Sequence, residues 1–451
     1  MKSFILSSTY FSLRSENLKA QDAKSKNCQI LNMSGRGGRG RGRGEYYKNK
    51  YGGGGRSGGR GRGNRGRSDG RGRGERQSRS NGETGGGTYE ELMHIFSSID
   101  NQSYPAYHDI ESFQKGWEFD GDDGTSTQFK LYVGRAQADP YARPTRCRII
   151  VPASTAQFPP DLHKNRVRAI ALADYINRAF HATSQSLGAD QSASFAGKGW
   201  SGPKGGDIQI VGPSQHVLQQ SAVTIDTSTG EVTAQFTVNL PARGRTILGH
   251  KAKEIFQQSL PLLVRQSLTY AALNAAKVKH HVLSVEDQQW LRDQLEPNDL
   301  VAFILNGAVL PRASGVDDRP MKNPEVVKFE SPETLKVEFH LPNLDRTIQG
   351  MGIKKGISLI VGGGFHGKST LLSALQFGVY NKIPGDGREF CVCDESAVKI
   401  RAEDGRAVTA VDITSFITNL PFGKLTNNFS SMDASGSTSQ ASNIIEVRMN
   451  V

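Results

Sequence analysis

The stretch "SLIVGGGFHGKSTLL", residues 358–372, constrains this chain more than any other. It carries the pattern G-x-x-x-x-G-K-[ST] from Gly362 to Ser369. Apolar residues lead in (Ile357, Leu359, Ile360, Val361) and an apolar helical pattern leads out (Leu371, Leu372, Ala374, Leu375). Strand, glycine loop and helix are the context in which backbone N–H groups converge on phosphate oxygens. The expected cradle is Gly362, Gly363, Gly364 and Gly367, with Lys368 reaching the β- and γ-phosphates. The Ser369 hydroxyl would ligate Mg²⁺, and Thr370 would lie near the α-phosphate. ATP and Mg²⁺ are therefore the expected cofactors. His366 receives no catalytic role.

Charge is divided unevenly. Apolar residues make up 36% of the 451, against about 45–50% with glycine counted in a typical globular chain. The deficit lies in residues 34–87, where 15 Lys and Arg face 4 acids among glycines and small polar residues. The formal net charge is +12. The first 87 residues hold about +14 of positive charge, which leaves the rest near −2. The pI of about 9.5 thus describes a tail.

Such a segment has almost nothing apolar to offset chain entropy, and the composition predicts disorder. Arg36, Arg39, Arg41, Arg43, Arg60, Arg62, Arg71 and Arg73 are candidate RNA contacts. Guanidinium groups pair with phosphates and stack on bases, as tyrosine rings such as Tyr46, Tyr47 and Tyr51 also do. The alternative is a flexible solubilising tail.

No apolar run approaches the ~20 residues that span a bilayer. The segment before Met33 contains Glu16 and Asp22, which oppose a transit peptide despite its serines and Arg14. Nucleus or cytoplasm is the expected compartment, with organelle import weakly supported. Four cysteines form no disulfide framework, and the Cys391-x-Cys393 pair lacks further ligands for zinc. The His280-His281 doublet reads as helix surface.

Periodicity predicts helices over 88–100, 166–184 and 247–273, the last kinked or divided at Pro261. A further helix is expected over 284–297, with Ser284 as N-cap. Strands are expected over 128–135, 146–152 and 300–307, with a hairpin over 222–241 and an edge strand over 331–343. Asp386, Arg388, Glu403 and Asp404 sit in turn contexts, where they either reach a nucleotide or form surface ion pairs.

Taken together, "VGGGFHGKSTLL", "GVYNKIPGDGREF", "AVKIRAEDGRAV", "VDITSFITNLP" and "ASGSTSQASNI" closely resemble a family of non-transporter ATPases of the ABC class. "RAQADPYARPTRCRIIVP", "GKGWSGPKGGDIQI", "NLPARGRTILG" and "FILNGAVLPR" match it earlier in the chain. The resemblance covers about 88–446. It implies an α/β P-loop NTPase fold, an incomplete ABC-type nucleotide-binding domain preceded by an α+β accessory domain and the disordered Arg-Gly-rich tail.

The expected division is an N-terminal extension (1–33), the tail (34–87), the accessory domain (88–245) and a partial ATPase domain (246–451). The resemblance also implies that Ser435, Gly436, Ser437, Thr438, Ser439 and Gln440 form the variant ABC signature. That segment would open a helix and cap the γ-phosphate of ATP on a partner's loop, giving a homodimer with ATP between subunits. Phe339 is the candidate aromatic for adenine.

Only eleven residues follow Gln440. The family continues with a strand carrying the Walker B Asp and the catalytic Glu. A truncated chain with Walker A and without Walker B is therefore expected to bind ATP and to hydrolyse it poorly. No catalytic residue is assigned. The leading expectation is an RNA-associated ATP-binding protein in which ATP closes a dimer. The alternative is a non-enzymatic RNA-binding protein with a degenerate nucleotide fold. A small-molecule kinase would rest on the phosphate loop alone, with no Arg-rich lid to support it.

Overall fold

The computed structural model describes residues 4–7, 11–13, 85–121, 127–189 and 203–450. The Arg-Gly tail lies outside them up to residue 84.

Order begins with helix α1, Tyr89–Ser98. Thr88 and Glu91 form a reciprocal capping box at its start, and Leu92, Met93 and Phe96 are buried. Strands β1 (Trp117–Phe119), β2 (Phe129–Val133) and β3 (Thr145–Val151) follow. β3 alternates, burying Thr145, Cys147, Ile149 and Val151, as a strand with one face on the core must. Helix α2 (Arg166–Ser186) is capped by the Asn165 side chain and packs across the sheet.

The hairpin forms from β4 (Val223–Ile225) and β5 (Val232–Val238). Its turn is fixed by Asp226, whose Oδ1 accepts from the Ser228 and Thr229 N–H groups. These strands run β4-β5-β3-β2-β1 in one mixed sheet, with β5 and β3 paired antiparallel over seven residues.

The helix after residue 248 is continuous from Gly249 to Ser267. Pro261 neither divides nor ends it. One π-helical turn, Ile255–Ser259, precedes the proline. A proline cannot donate to the residue one turn back, and a π turn absorbs the missing bond.

Helix α3, Ala275–Asp293, corrects the expectation of a start at Ser284. Asn274 is the N-cap, accepting from Lys277 N–H, and Ser284 is buried in mid-helix. His281 is buried too, whereas His280 is exposed. The first core runs from Leu92 to Val285, so the stretch 246–285 packs with the sheet that precedes it.

Past α3 the chain builds a second sheet. Strands β6 (Leu300–Leu305), β7 (Lys336–Leu341), β8 (Arg346–Lys354) and β9 (Cys391–Cys393) stand in the order β7-β8-β6-β9. β7 is the edge strand its alternation suggested. Cys391 and Cys393 belong to the core of β9, and burial pushes the Cys391 thiol up to about 12. Phe339 packs edge-on against Phe303 at 5.4 Å and is buried, so it is not presented to an adenine. A hairpin of β10 (Arg406–Val411) and β11 (Phe429–Ala434) closes the described chain together with its final helix. Near the N-terminus, Phe4–Ser7 and Phe11–Leu13 pair with each other and with strands 397–400 and 357–358.

Candidate functional site

The glycine loop opens directly into helix α4, Lys368–Gln376. Gly362 and Gly367 have φ of 155° and 78°, backbone that a Cβ would strain. Gly367 therefore turns the chain so that Lys368, Ser369 and Thr370 fall in the first helical turn. The Lys368 ammonium bends back over its own loop, 2.7 Å from Gly362 O and 2.5 Å from Gly363 O. It thus stands over the loop and at the positive end of α4, where an anionic phosphate would compete for it. Residues 361–367 are exposed.

The approach to the loop differs from expectation. Regular strand covers only Ile357–Ser358, and Ile357, Leu359 and Val361 are exposed. Ile360 alone of this run packs on the second core. An apolar run does not by itself secure burial; it needs a neighbouring surface.

Helix α4 is anchored from its far side. Ala374 and Leu375 are buried, and Leu375 O accepts from Cys393 Sγ at 3.0 Å. Lys382, only 2% exposed, donates from Nζ to Phe377 O at 2.6 Å and Tyr380 O at 3.3 Å. It thereby holds carbonyls just past the C-terminal end of α4, where a cation is favoured. Burial lowers its ammonium to about 8, the neighbouring Asp386 opposing.

The Lys382 backbone is gripped in turn by Gln288 of α3, through N–H at 2.7 Å and carbonyl at 2.9 Å. Arg292, also of α3, donates to Gly378 O at 3.1 Å and Cys393 O at 3.1 Å.

Asp386 and Arg388 are neither surface ion pairs nor exposed groups. Both are buried; Arg312 Nη1 reaches Asp386 Oδ2 at 2.9 Å. Arg388 Nε donates to Leu310 O at 2.8 Å, and its Nη1 to Ser373 Oγ of α4 at 3.4 Å. Burial holds the Arg388 guanidinium down at about 10. Neither the roles of Lys382, Gln288 and Arg388 nor their partners carry a periodic signal in the sequence, because each depends on long-range contacts. Glu403 and Asp404 remain on an exposed turn.

The segment Ser435–Gln440 opens helix α5, Gly436–Asn450. Ser435 O accepts from Ser439 N–H at 2.8 Å and from Thr438 Oγ1 at 3.0 Å. Ser435 and Ser437 are exposed, while Thr438 and Ser439 are buried. Ser439 Oγ accepts from the Glu403 N–H at 3.1 Å, tying the helix start to the 401–405 turn. The segment therefore divides into an outward pair and an inward pair, with Gly436 and Gln440 half-buried.

The arginines assigned to RNA, from Arg36 to Arg73, lie outside the described residues. Among the described residues no helix is long and apolar enough to cross a membrane.

Comparison with known proteins agrees with this layout. Residues 274–450 match the P-loop domain model of ABC_ATPase, and residues 89–271 match the model described as ATPase of the ABC class N-terminal. An uncharacterized protein of Methanocaldococcus jannaschii, MJ1628, is 34% identical over 146 residues. That match spans 31% of this chain and 32% of the archaeal protein's length.

Proposed function

The chain belongs to the family of ATPases of the ABC class, and from that premise we propose that ATP is held by Gly362, Gly363, Gly364, Gly367, Lys368, Ser369 and Thr370, with Mg²⁺ on Ser369. Family membership carries nucleotide binding by the P-loop domain. The observation that supports these residues is the position of Lys368 Nζ over the loop carbonyls of Gly362 and Gly363. A phosphate oxygen arriving there meets an ammonium, the N–H groups of a helix start and two hydroxyl side chains. Magnesium would supply charge neutralisation of the β- and γ-oxygens; the Ser369 hydroxyl is the group this chain offers it.

In the proposed working form, two copies close on ATP. The exposed hydroxyls of Ser435 and Ser437, with the half-buried Gly436, face the partner's nucleotide, while Thr438 and Ser439 hold the helix start in place. The Arg-Gly tail recruits RNA, and nucleus or cytoplasm suits that task. Sedimentation of the purified chain with and without ATP tests the clamp. A dimer that forms only with ATP and is lost in Lys368→Ala supports it; a monomer under both conditions rejects it. Should RNA affinity be steep in salt yet indifferent to ATP, the tail acts alone and the nucleotide fold is not coupled to it.

A further inference from the structure

Helix α2 and strand β4 do not close on one another along their whole length. A slot of about 300 Å³ separates them, within the size range of ligand pockets. Its helix wall includes Ala169, Ala173 and Asn177, spaced by four and so on one face. Two alanines in this stripe leave room that larger side chains would fill. Val223 and Ile225 form the facing wall.

Polar groups sit at two places. Asn177 is 3% exposed; its Nδ2 donates to Val211 O at 3.2 Å, and its Oδ1 has no hydrogen-bond partner among the described residues. One turn away, the Asp174 carboxylate accepts from Arg178 Nε at 2.7 Å and faces His281 Nε2 at 3.3 Å. This side of the slot therefore presents acceptors. At the rim, exposed Arg166 donates to Gln219 Oε1 at 2.9 Å, with further N–H groups in its guanidinium.

Apolar walls disfavour a sugar, and an acceptor-lined interior disfavours an anion. A flat ring with an amino edge, carrying its negative charge outside, satisfies both. We propose that this slot binds an amino-bearing nucleobase, with the attached phosphate outward at Arg166. The source is either a free mononucleotide or an unstacked base of single-stranded RNA. The site is separate from the phosphate loop and does not rest on the reading of that loop.

The test uses the full chain carrying Lys368→Ala, which silences the phosphate loop. AMP, and separately a short adenine-rich RNA, are titrated by calorimetry. Azido-adenine versions of both are photocrosslinked and the labelled peptides mapped. The expected result is label on residues 166–177 or 218–227, with binding at least tenfold weaker in Ala173→Leu. Labelling by AMP identifies a mononucleotide site; labelling by the RNA alone identifies an RNA base. Asn177→Leu replaces Ala173→Leu should the latter lose its cooperative melt. Mapping needs no slot variant, so absence of label on both walls at millimolar ligand overturns the proposal. Undiminished binding in a folded slot variant overturns it as well.

Discussion

Lys368 and Lys382 show how one residue type does opposite work a few residues apart. Lys368 is near the surface, above a loop of carbonyls that a phosphate would replace. Lys382 is buried and holds the far end of the same helix. Because burial lowers the Lys382 ammonium from 10.5 to about 8, the unfolded chain binds the extra proton between those values. Stability from this group therefore rises as pH rises from about 8 to 10.5, by about 3 kcal/mol. Burial raises the thiols of Cys147, Cys391 and Cys393, which lowers stability at alkaline pH, in the wild type and in a Lys382 variant alike. Urea unfolding at pH 7.5 and 10.5 isolates the lysine: wild type should gain relative to Lys382→Met by that amount. An equal change in both proteins would remove Lys382 as a buried, strained cation.

At the scale of elements, α3 links the two sheets. It lends Val278, Val282 and Val285 to the first core and Leu291 to the core of the second sheet. It also holds Lys382 through Gln288. Replacing Gln288 by Leu strands a buried N–H and a buried carbonyl at Lys382. The expected loss is roughly 2–4 kcal/mol, from about 1–3 for each group left without a partner. Denaturant midpoints measure it, and the loss should be non-additive with Lys382→Met because the two share one contact network.

This helix also marks where the sequence misleads. "SVEDQQW" reads as a helix start because serine followed by acids suits a cap, yet Ser284 lies inside a helix that began at Ala275. Tertiary burial overrode a local preference. The same gap explains the run before the phosphate loop, whose apolar residues promised a buried strand and proved exposed. The loop itself was legible, since Gly367, Lys368 and Ser369 encode chemistry in adjacent positions. So was β3, because alternation with period two is a local signal. Phe339, Asp386 and Arg388 were not, since their neighbours are distant in sequence.

For the whole molecule, the proposal couples a near-neutral folded part to a basic tail. Deleting residues 34–87 should abolish nearly all RNA binding, with the intact chain losing affinity steeply between 50 and 200 mM salt. Filter binding across that range checks this; retained affinity would move the RNA site into the folded part, where the α2–β4 slot becomes the first candidate. The most direct measurement of the central claim is titration of the 451-residue chain with a fluorescent ATP analogue, in parallel with Lys368→Ala. The account predicts saturable binding by the parent chain and at least tenfold weaker binding by the folded variant. Equal affinity in the two, or none in the parent, would contradict a nucleotide site built on this loop.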